Sequence, residues 1–451
     1  MDAQLILSVV SGVAVLLVLI LYVKIHPFLS LLISSIVVGV FAGMPIQEVF
    51  ENVKNGIGGT LGFVATIIGL GAIFGAVLEK SGGASELAKW LSRTIGQNNA
   101  PSAMMIAGFF VAIPVFFDVA FIILLPVALA LNRALKKPLL LLVLPLLAGL
   151  AITHAFIPPT PGPVAVADIM GVGLGEVIII GFIVGLPTAI ISGPLLAKYI
   201  NKHLIKNYDG ISLGFDEVNP QPSRTARPLT VLIIIFLPIV LIVTNTICQN
   251  SDTVIKMLAP NIIFVIQLIG HPFAALIISN LIAWYVLGIR LGSTRTELLD
   301  VSMKSFYPAG SIILLTGAGG AFKQILVSTG AGEMIAALVG YELFTPVLFA
   351  FCVAALVRVI QGSATVAMIT AAGITAPLLS ILSVTDLQKA ILVIAIASGA
   401  TFMSHVNDSG FWLVSQYLKL DTRQTFKSWT FITVVIGLCG LMFSTILWFI
   451  V

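Results

Sequence analysis

Apolar runs of bilayer-spanning length recur along the chain at 5–23, 28–43, 57–78, 176–198, 229–247, 271–289, 305–327 and 429–450. A helix rises about 1.5 Å per residue, so about 20 apolar residues cover the ~30 Å hydrocarbon core. Each run predicts a membrane-spanning helix. The first run follows Met1-Asp2-Ala3-Gln4 and precedes Lys24, with no basic n-region and no small-residue cleavage site. It therefore reads as a retained helix, not a secretory signal. Four further stretches, 103–131, 138–170, 344–382 and 387–418, are apolar but interrupted by prolines, glycines and polar residues. Non-helical backbone inside a bilayer survives only where protein or a water-filled cavity covers it. The interruptions, more than the spans, are where chemistry is expected.

One long hydrophilic stretch, 199–228, separates a first half, 1–198, from a second, 229–451. The halves resemble each other. His26-Pro27-Phe28 parallels His271-Pro272-Phe273, and Leu31, Ile33 and Ser34 parallel Leu276, Ile278 and Ser279. Gly69, Gly71, Phe74, Leu78 and Gly82 then parallel Gly317, Gly319, Phe322, Leu326 and Gly330, and Thr153-His154 parallels Ser404-His405. Cytoplasmic loops collect Lys and Arg. With the N-terminus outside, stretches 103–131 and 344–382 as re-entrant hairpins, and stretches 138–170 and 387–418 as single broken helices, all but five of the 23 basic residues fall inside. Those five are Lys54, Lys256, Lys323, Arg358 and Lys389. This arrangement requires 248–270 not to cross, puts both termini outside and makes the halves antiparallel. The expected fold is an all-α polytopic membrane protein with two inverted-topology repeats, each of five crossings, one re-entrant hairpin and one broken helix. Many secondary transporters are built this way. Stretches 79–93 and 329–339 read as interfacial amphipathic helices.

Composition agrees. Of 451 residues, 59% are apolar and 9% charged, against about 25% charged in soluble domains. Such a chain cannot cover a water-facing surface. Soluble enzymes, disordered scaffolds and nucleic-acid binders are excluded, and a net charge of +4 with no basic patch offers nothing to nucleic acid. Membrane lipid is the expected partner. Cys248, Cys352 and Cys439 are too scattered for a disulfide framework or a metal site, and no cofactor motif is present.

Four interrupted segments carry candidate chemistry. In 113–121, Pro114 breaks the helix and Asp118 stands deep in an apolar stretch, where a carboxylate is costly unless paired, hydrated or protonated. Asp118 reads as a proton-carrying site group, or as a structural carboxylate tying the hairpin. In 153–163, His154 precedes Pro158-Pro159-Thr160-Pro161-Gly162-Pro163, which cannot stay helical. The freed carbonyls and amides become ligands, and His154 is either a titrating group or a cap on the first half-helix. In 358–367, Gly362 allows a reversal, while Ser363 and Thr365 suit a helix start whose free amides favour an anion. Arg358 is equally suited to clamp the hairpin or to pair with a carboxylate substrate. In 404–412, His405, Asn407, Asp408 and Ser409 crowd polar groups into an apolar region; an external loop is the alternative. Lys323 is an isolated cation that counters Asp118 or Asp408, draws in anions, or snorkels.

These segments resemble the gluconate permease family, the gluconate:proton symporters of the wider ion-transporter superfamily. The resemblance runs from His26-Pro27-Phe28 to the C-terminal helix. Its most specific pieces are Gly362-Ser363-Ala364-Thr365-Val366-Ala367, Ser404-His405-Val406-Asn407-Asp408-Ser409-Gly410-Phe411-Trp412, and His154 with its proline run. The resemblance implies proton-coupled uptake of a small anionic sugar acid across a bacterial inner membrane, with periplasmic termini. It also implies two hairpins and two unwound helices around one site, and a homodimer. Thr160 stands where the family often has His, and Phe117-Asp118 where many relatives have Phe-Glu. Both departures lie in site segments, which widens the candidates to sugar acids of four or five carbons.

The resulting expectation is symport by alternating access. Substrate would lie between tips 115–119 and 361–365 and breaks 154–162 and 404–410. Phe117, Asp118, His154, Thr160, Gly362, Ser363, Thr365, His405, Asn407 and Ser409 would line it. Asp118, His154, His405 or Asp408 would carry the coupling proton, and Lys323 or Arg358 would balance charge. Alternatives are a sodium-coupled carboxylate or D-serine symporter of the same fold, then a channel or an intramembrane enzyme.

Overall fold

In lipid every backbone amide and carbonyl must find a partner within the chain, and a helix supplies one for each interior residue. Among the described residues of the computed structural model, every regular element is helical. The structure describes residues 3–205, 226–250, 258–330, 345–380 and 384–451. The central part of the hydrophilic linker and stretch 331–339 lie outside them.

The first half contains α1 (Ala3–Leu21), α2 (Pro27–Phe41), α3 (Ile46–Lys80), α4 (Gly83–Ile95), α5 (Ala100–Val111), α6 (Phe117–Leu135), α7 (Leu140–Phe156), α8 (Pro161–Met170) and α9 (Leu174–Leu204). The second contains α10 (Pro228–Asn250), α11 (Pro260–Gly270), α12 (Pro272–Leu291), α13 (Arg295–Ser328), α14 (Pro346–Gln361), α15 (Ala364–Thr375), α16 (Asp386–Thr401), α17 (Ser409–Tyr417) and α18 (Thr422–Ile450). Among the described residues, eight helical stretches, α7 and α8 taken together as one, are long and apolar enough to cross a bilayer. At 11 residues, α11 is too short to span it.

Equivalent sequence motifs take equivalent local structure. His26 and His271 each begin a helix with Pro at its first position, and each Nδ1 accepts the next-but-one amide, Phe28 and Phe273, at 3.3 Å. Gly149 on α7 lies against the Met105 carbonyl and the Phe109 amide of α5; Gly399 on α16 lies against the Phe351 carbonyl and the Ala355 amide of α14. In both places only a missing side chain lets two backbones come so close.

The two longest helices, α3 and α13, run antiparallel. Ser328 Oγ donates to Asn52 Oδ1 at 2.9 Å, Gly56 meets Gly320, Leu61 meets Gly317, and Gly69 faces Phe306. The polar first turns of α3, with Glu48, Glu51 and Lys54, extend it well beyond the apolar run that marks it in sequence.

The broken helices are the interior. In the apolar window of Leu140–Met170, 89% of residues are buried, against 33% for Pro272–Leu291 on the periphery. Unwound backbone at 157–160 is thereby covered by protein, as an apolar solvent demands, whereas at 402–408 Ser404 is buried and Met403, Val406 and Asn407 are exposed.

Candidate functional site

Each interrupted stretch resolves into two helices and a non-helical joint. Stretch 103–131 becomes α5 and α6, joined at 112–116; stretch 138–170 becomes α7 and α8, joined at 157–160. Stretch 344–382 becomes α14 and α15, meeting at Gly362, whose φ of +91° puts it in the left-handed region; 381–382 lie outside the described residues. Stretch 387–418 becomes α16 and α17, joined at 402–408.

Tip 112–116 closes onto the first break. Ile113, Pro114, Val115 and Phe116 face Pro159, Thr160 and Pro161 across a narrow cleft floored by Ile68, Gly71 and Ala72 of α3. The cleft holds roughly one water-sized sphere. The Pro114 carbonyl abuts Gly75, where any side chain would collide with it. Thr160 precedes α8, but its hydroxyl donates to the Ile157 carbonyl at 2.6 Å instead of capping the helix. His154 sits in the last turn of α7 with its ring 6.2 Å from that of Phe116; its buried Nδ1 has no hydrogen-bond partner, so it caps nothing.

The second tip is clamped by the second break. Arg358 is 5% exposed. One guanidinium nitrogen donates to the Gly362 carbonyl and the other to Asp408 Oδ2 at 2.5 Å. The Ser404 hydroxyl donates to the same carboxylate oxygen, and Asp408 Oδ1 accepts the Gly410 amide at 3.1 Å, capping α17. Asn407 donates to the Val359 and Ile360 carbonyls at 2.9 and 3.1 Å, and His405 Nε2 lies 2.7 Å from the Val359 carbonyl. These groups satisfy the last carbonyls of α14, which no helical amide reaches. Ser363 caps α15 by accepting the Val366 amide at 3.3 Å. Thr365 lies half-buried in the first turn of α15, and Ser409 is exposed at the start of α17.

The two sides communicate. Phe117 packs on Trp429 of α18, ring centroids 5.4 Å apart. Trp429 Nε1 donates to Ser404 Oγ at 2.7 Å, and Ser404 reaches Asp408. Asp118, exposed in the first turn of α6, is near enough to Asp408 for the carboxylates to repel. Gly162 of α8 abuts Met368 of α15. Both tips and both breaks therefore converge.

In the structure Arg358 bridges hairpin and break, and the buried His154 Nδ1 has no hydrogen-bond partner among the described residues. Lys323 lies beside neither Asp118 nor Asp408; its neighbour is Asp168 of α8. Asp168 and Trp429 contact nominated residues, Lys323 and Ser404 with Phe117, in ways the sequence reading missed. Among the described residues no three His, Cys, Asp or Glu side chains converge on a metal-sized site.

The fold is that of a multi-pass helical membrane transporter. It aligns with the YdaH transporter of Alcanivorax borkumensis at a TM-score of 0.61, over 88% of this chain and 87% of that one, at 14% identity. It aligns with MtrF of Neisseria gonorrhoeae at 0.60, over 90% and 85%, at 11% identity. Residues 4–451 match the GntP family permease pattern. A gluconate permease of Pseudomonas aeruginosa is 35% identical over 99% of this chain and 98% of its own length. One of Bacillus subtilis is 37% identical over 97% and 98%. The L-idonate transporter of the Gnt-II system of Escherichia coli is 35% identical over 96% and 97%. The chain belongs to the GntP permease family. It is a membrane permease, not an enzyme.

Proposed function

We propose that this permease is a proton-coupled symporter of gluconate or a related small sugar acid, working by alternating access in the bacterial inner membrane. The observation that carries the reading is the connected path from Phe117 through Trp429, Ser404, Asp408 and Arg358 to Gly362. It joins both hairpin tips to the second break, so these elements are coupled to one another. The antiparallel α3 and α13, and the matching His-Pro-Phe caps, support an inverted repeat of 1–198 and 229–451. That symmetry is the usual basis of two alternative access states. On this reading the termini are periplasmic, and a homodimer is what the family resemblance implies.

Gluconate and L-idonate appear in the names of relatives, and they supply the substrate class. Exposed backbone at the breaks, with Thr160, Ser363, Thr365, Asn407 and Ser409, offers hydrogen bonds to sugar hydroxyls. The N-termini of α6, α8, α15 and α17 offer amides and positive dipole to the carboxylate. Phe117 and Gly362 shape the tips. Asp118 and His154 remain proton-coupling candidates, and His405 contributes through its contact with the hairpin.

The test is uptake of labelled gluconate into proteoliposomes in sodium-free buffer under an imposed proton gradient. Accumulation that a proton ionophore abolishes is the expected result. Accumulation only with sodium favours the sodium-coupled reading, and equilibration without accumulation favours a channel. A thermal-shift screen against aldonates of four to six carbons and D-serine ranks the substrates.

A further inference from the structure

Asp408, one of the acids nominated from sequence, has its lone pairs committed to Arg358, Ser404 and the Gly410 amide. Every one of these partners donates to the carboxylate. Asp118 stands at the N-terminal end of α6, where the helix dipole also suits an anion. Asp168 is placed oppositely. It lies in the last turn of α8, the negative end of that helix, just before the Gly171 cap.

Three helices meet around it. Gly320 of α13 packs on Thr60 of α3, and Gly319 of α13 lies against Ile169 of α8. Lys323 follows these two glycines by three and four residues, which places it on the same face of α13. It is half-buried between the helices that present Thr60 and Asp168, and both interact with the Asp168 carboxyl. The Asp168–Lys323 pair is not among the direct ion pairs, as Lys89–Glu86 and Lys389–Asp386 are. Among the described residues on the elements around α8, no other charge competes for this carboxyl. On the elements packed against α8, α15 has no ionisable residue, α7 has only His154 beside the cleft, and Asp386 and Lys389 of α16 pair with each other. Glu176 of α9 folds back on Gly173, and the basic residues of α9 lie at its far end. Glu48, Glu51, Lys54, Glu79 and Lys80 of α3 lie more than a turn from Thr60, and the remaining ionisable groups of α13 lie at or before Tyr307.

We propose that Asp168 is the carboxylate that carries the coupling proton, with Lys323 as its counter-ion and Thr60 as its hydrogen-bond partner. This rests on the proton-symport reading and names its coupling group. Antiparallel α3 and α8 run from the cleft, where Gly71 faces Pro159, to the trio, where Thr60 meets Asp168. The trio lies about 12–18 Å along α3 from the cleft-floor residues. One ammonium thus serves two anions. A sugar acid admitted where the cleft opens draws on the field of Lys323, and at an effective dielectric of ~20 a unit charge at this distance changes proton affinity on the order of tenfold. Asp168 takes one proton from one aqueous face as the anion binds and returns it to the other as the anion leaves.

The experiment compares wild type, Asp168→Asn, Asp168→Glu and Lys323→Met in proteoliposomes, with gluconate as probe. Two assays are read: gluconate–gluconate exchange, which needs no net proton movement, and accumulation driven by an imposed proton gradient. The expected result is that Asp168→Asn keeps exchange within about threefold and loses accumulation, while Asp168→Glu keeps both with a displaced pH profile. Lys323→Met is expected to exchange only with a raised apparent KM for gluconate and to accumulate poorly. Accumulation by Asp168→Asn at the wild-type level overturns the proposal, as does loss of exchange together with accumulation in a protein whose melting temperature is unchanged. If the Asn variant does not fold, a wild-type pH profile in the Glu variant overturns it. A wild type that accumulates only with sodium sinks the underlying symport reading and this proposal with it; a proton-coupled wild type with an unaffected Asp168→Asn sinks the proposal alone.

Discussion

Arg358 and Asp408 meet at 2.5 Å, joining the end of α14 to the start of α17 through two almost fully covered charges. The guanidinium also holds the Gly362 carbonyl, so the hairpin reversal and the helix break are fixed by the same side chain. Removing one member of a buried pair leaves the other uncompensated, at a cost of about 3–5 kcal/mol. Asp408→Asn should therefore lose accumulation and also melt earlier in detergent. An unchanged melting temperature would show that the pair does not hold the tip.

Ser363 supplies the cap of α15 at the tip, accepting the Val366 amide. Ser363→Ala forfeits about 1 kcal/mol of capping, a loss that a protein of this size survives. If the hydroxyl also meets substrate, apparent KM for uptake rises while the folded fraction in size-exclusion chromatography stays level. Unchanged KM would place the second tip away from the cargo.

Trp429 donates to Ser404 while its ring rests on Phe117. Trp429→Phe keeps the aromatic contact and deletes the donor, at a net cost of about 1 kcal/mol. Maximal uptake should fall more than apparent affinity, because the loss uncouples the first tip from the second break. Equal wild-type rates would show that the link is not used in turnover.

Gly149 and Gly399 stand where α7 crosses α5 and α16 crosses α14 at backbone contact. A methyl group at either must push carbonyls apart, so Gly149→Ala and Gly399→Ala should each destabilise by about 1–3 kcal/mol or more. Thermal denaturation of the purified variants measures this. Tolerance at one site but not the other would mean that the two crossings do not carry equal load.

The spans and breaks were legible because lipid imposes length and internal hydrogen bonding, and those leave local marks: apolar runs, and the proline run after His154. The polar composition of 404–410 likewise announced a non-helical segment. Side-chain partnerships were less legible. Arg358 finds Asp408 and Lys323 finds Asp168 across large sequence separations, and one-dimensional patterning has no means of pairing them. Asp168 hid because it ends a short helix before a glycine, where a carboxylate reads as a loop residue. Trp429 hid because an aromatic residue at the start of a span reads as an interfacial anchor.

The Pro114 carbonyl pressed onto Gly75 has an energetic side. A membrane that stores work as an ion gradient would be short-circuited by a continuous wet bore. Here the backbone of one hairpin is seated directly on the backbone of α3, with about a water's width beside the proline break. A side chain at Gly75 would wedge this seam open, so the residue's smallness bears on leakage as well as on the shape of the site.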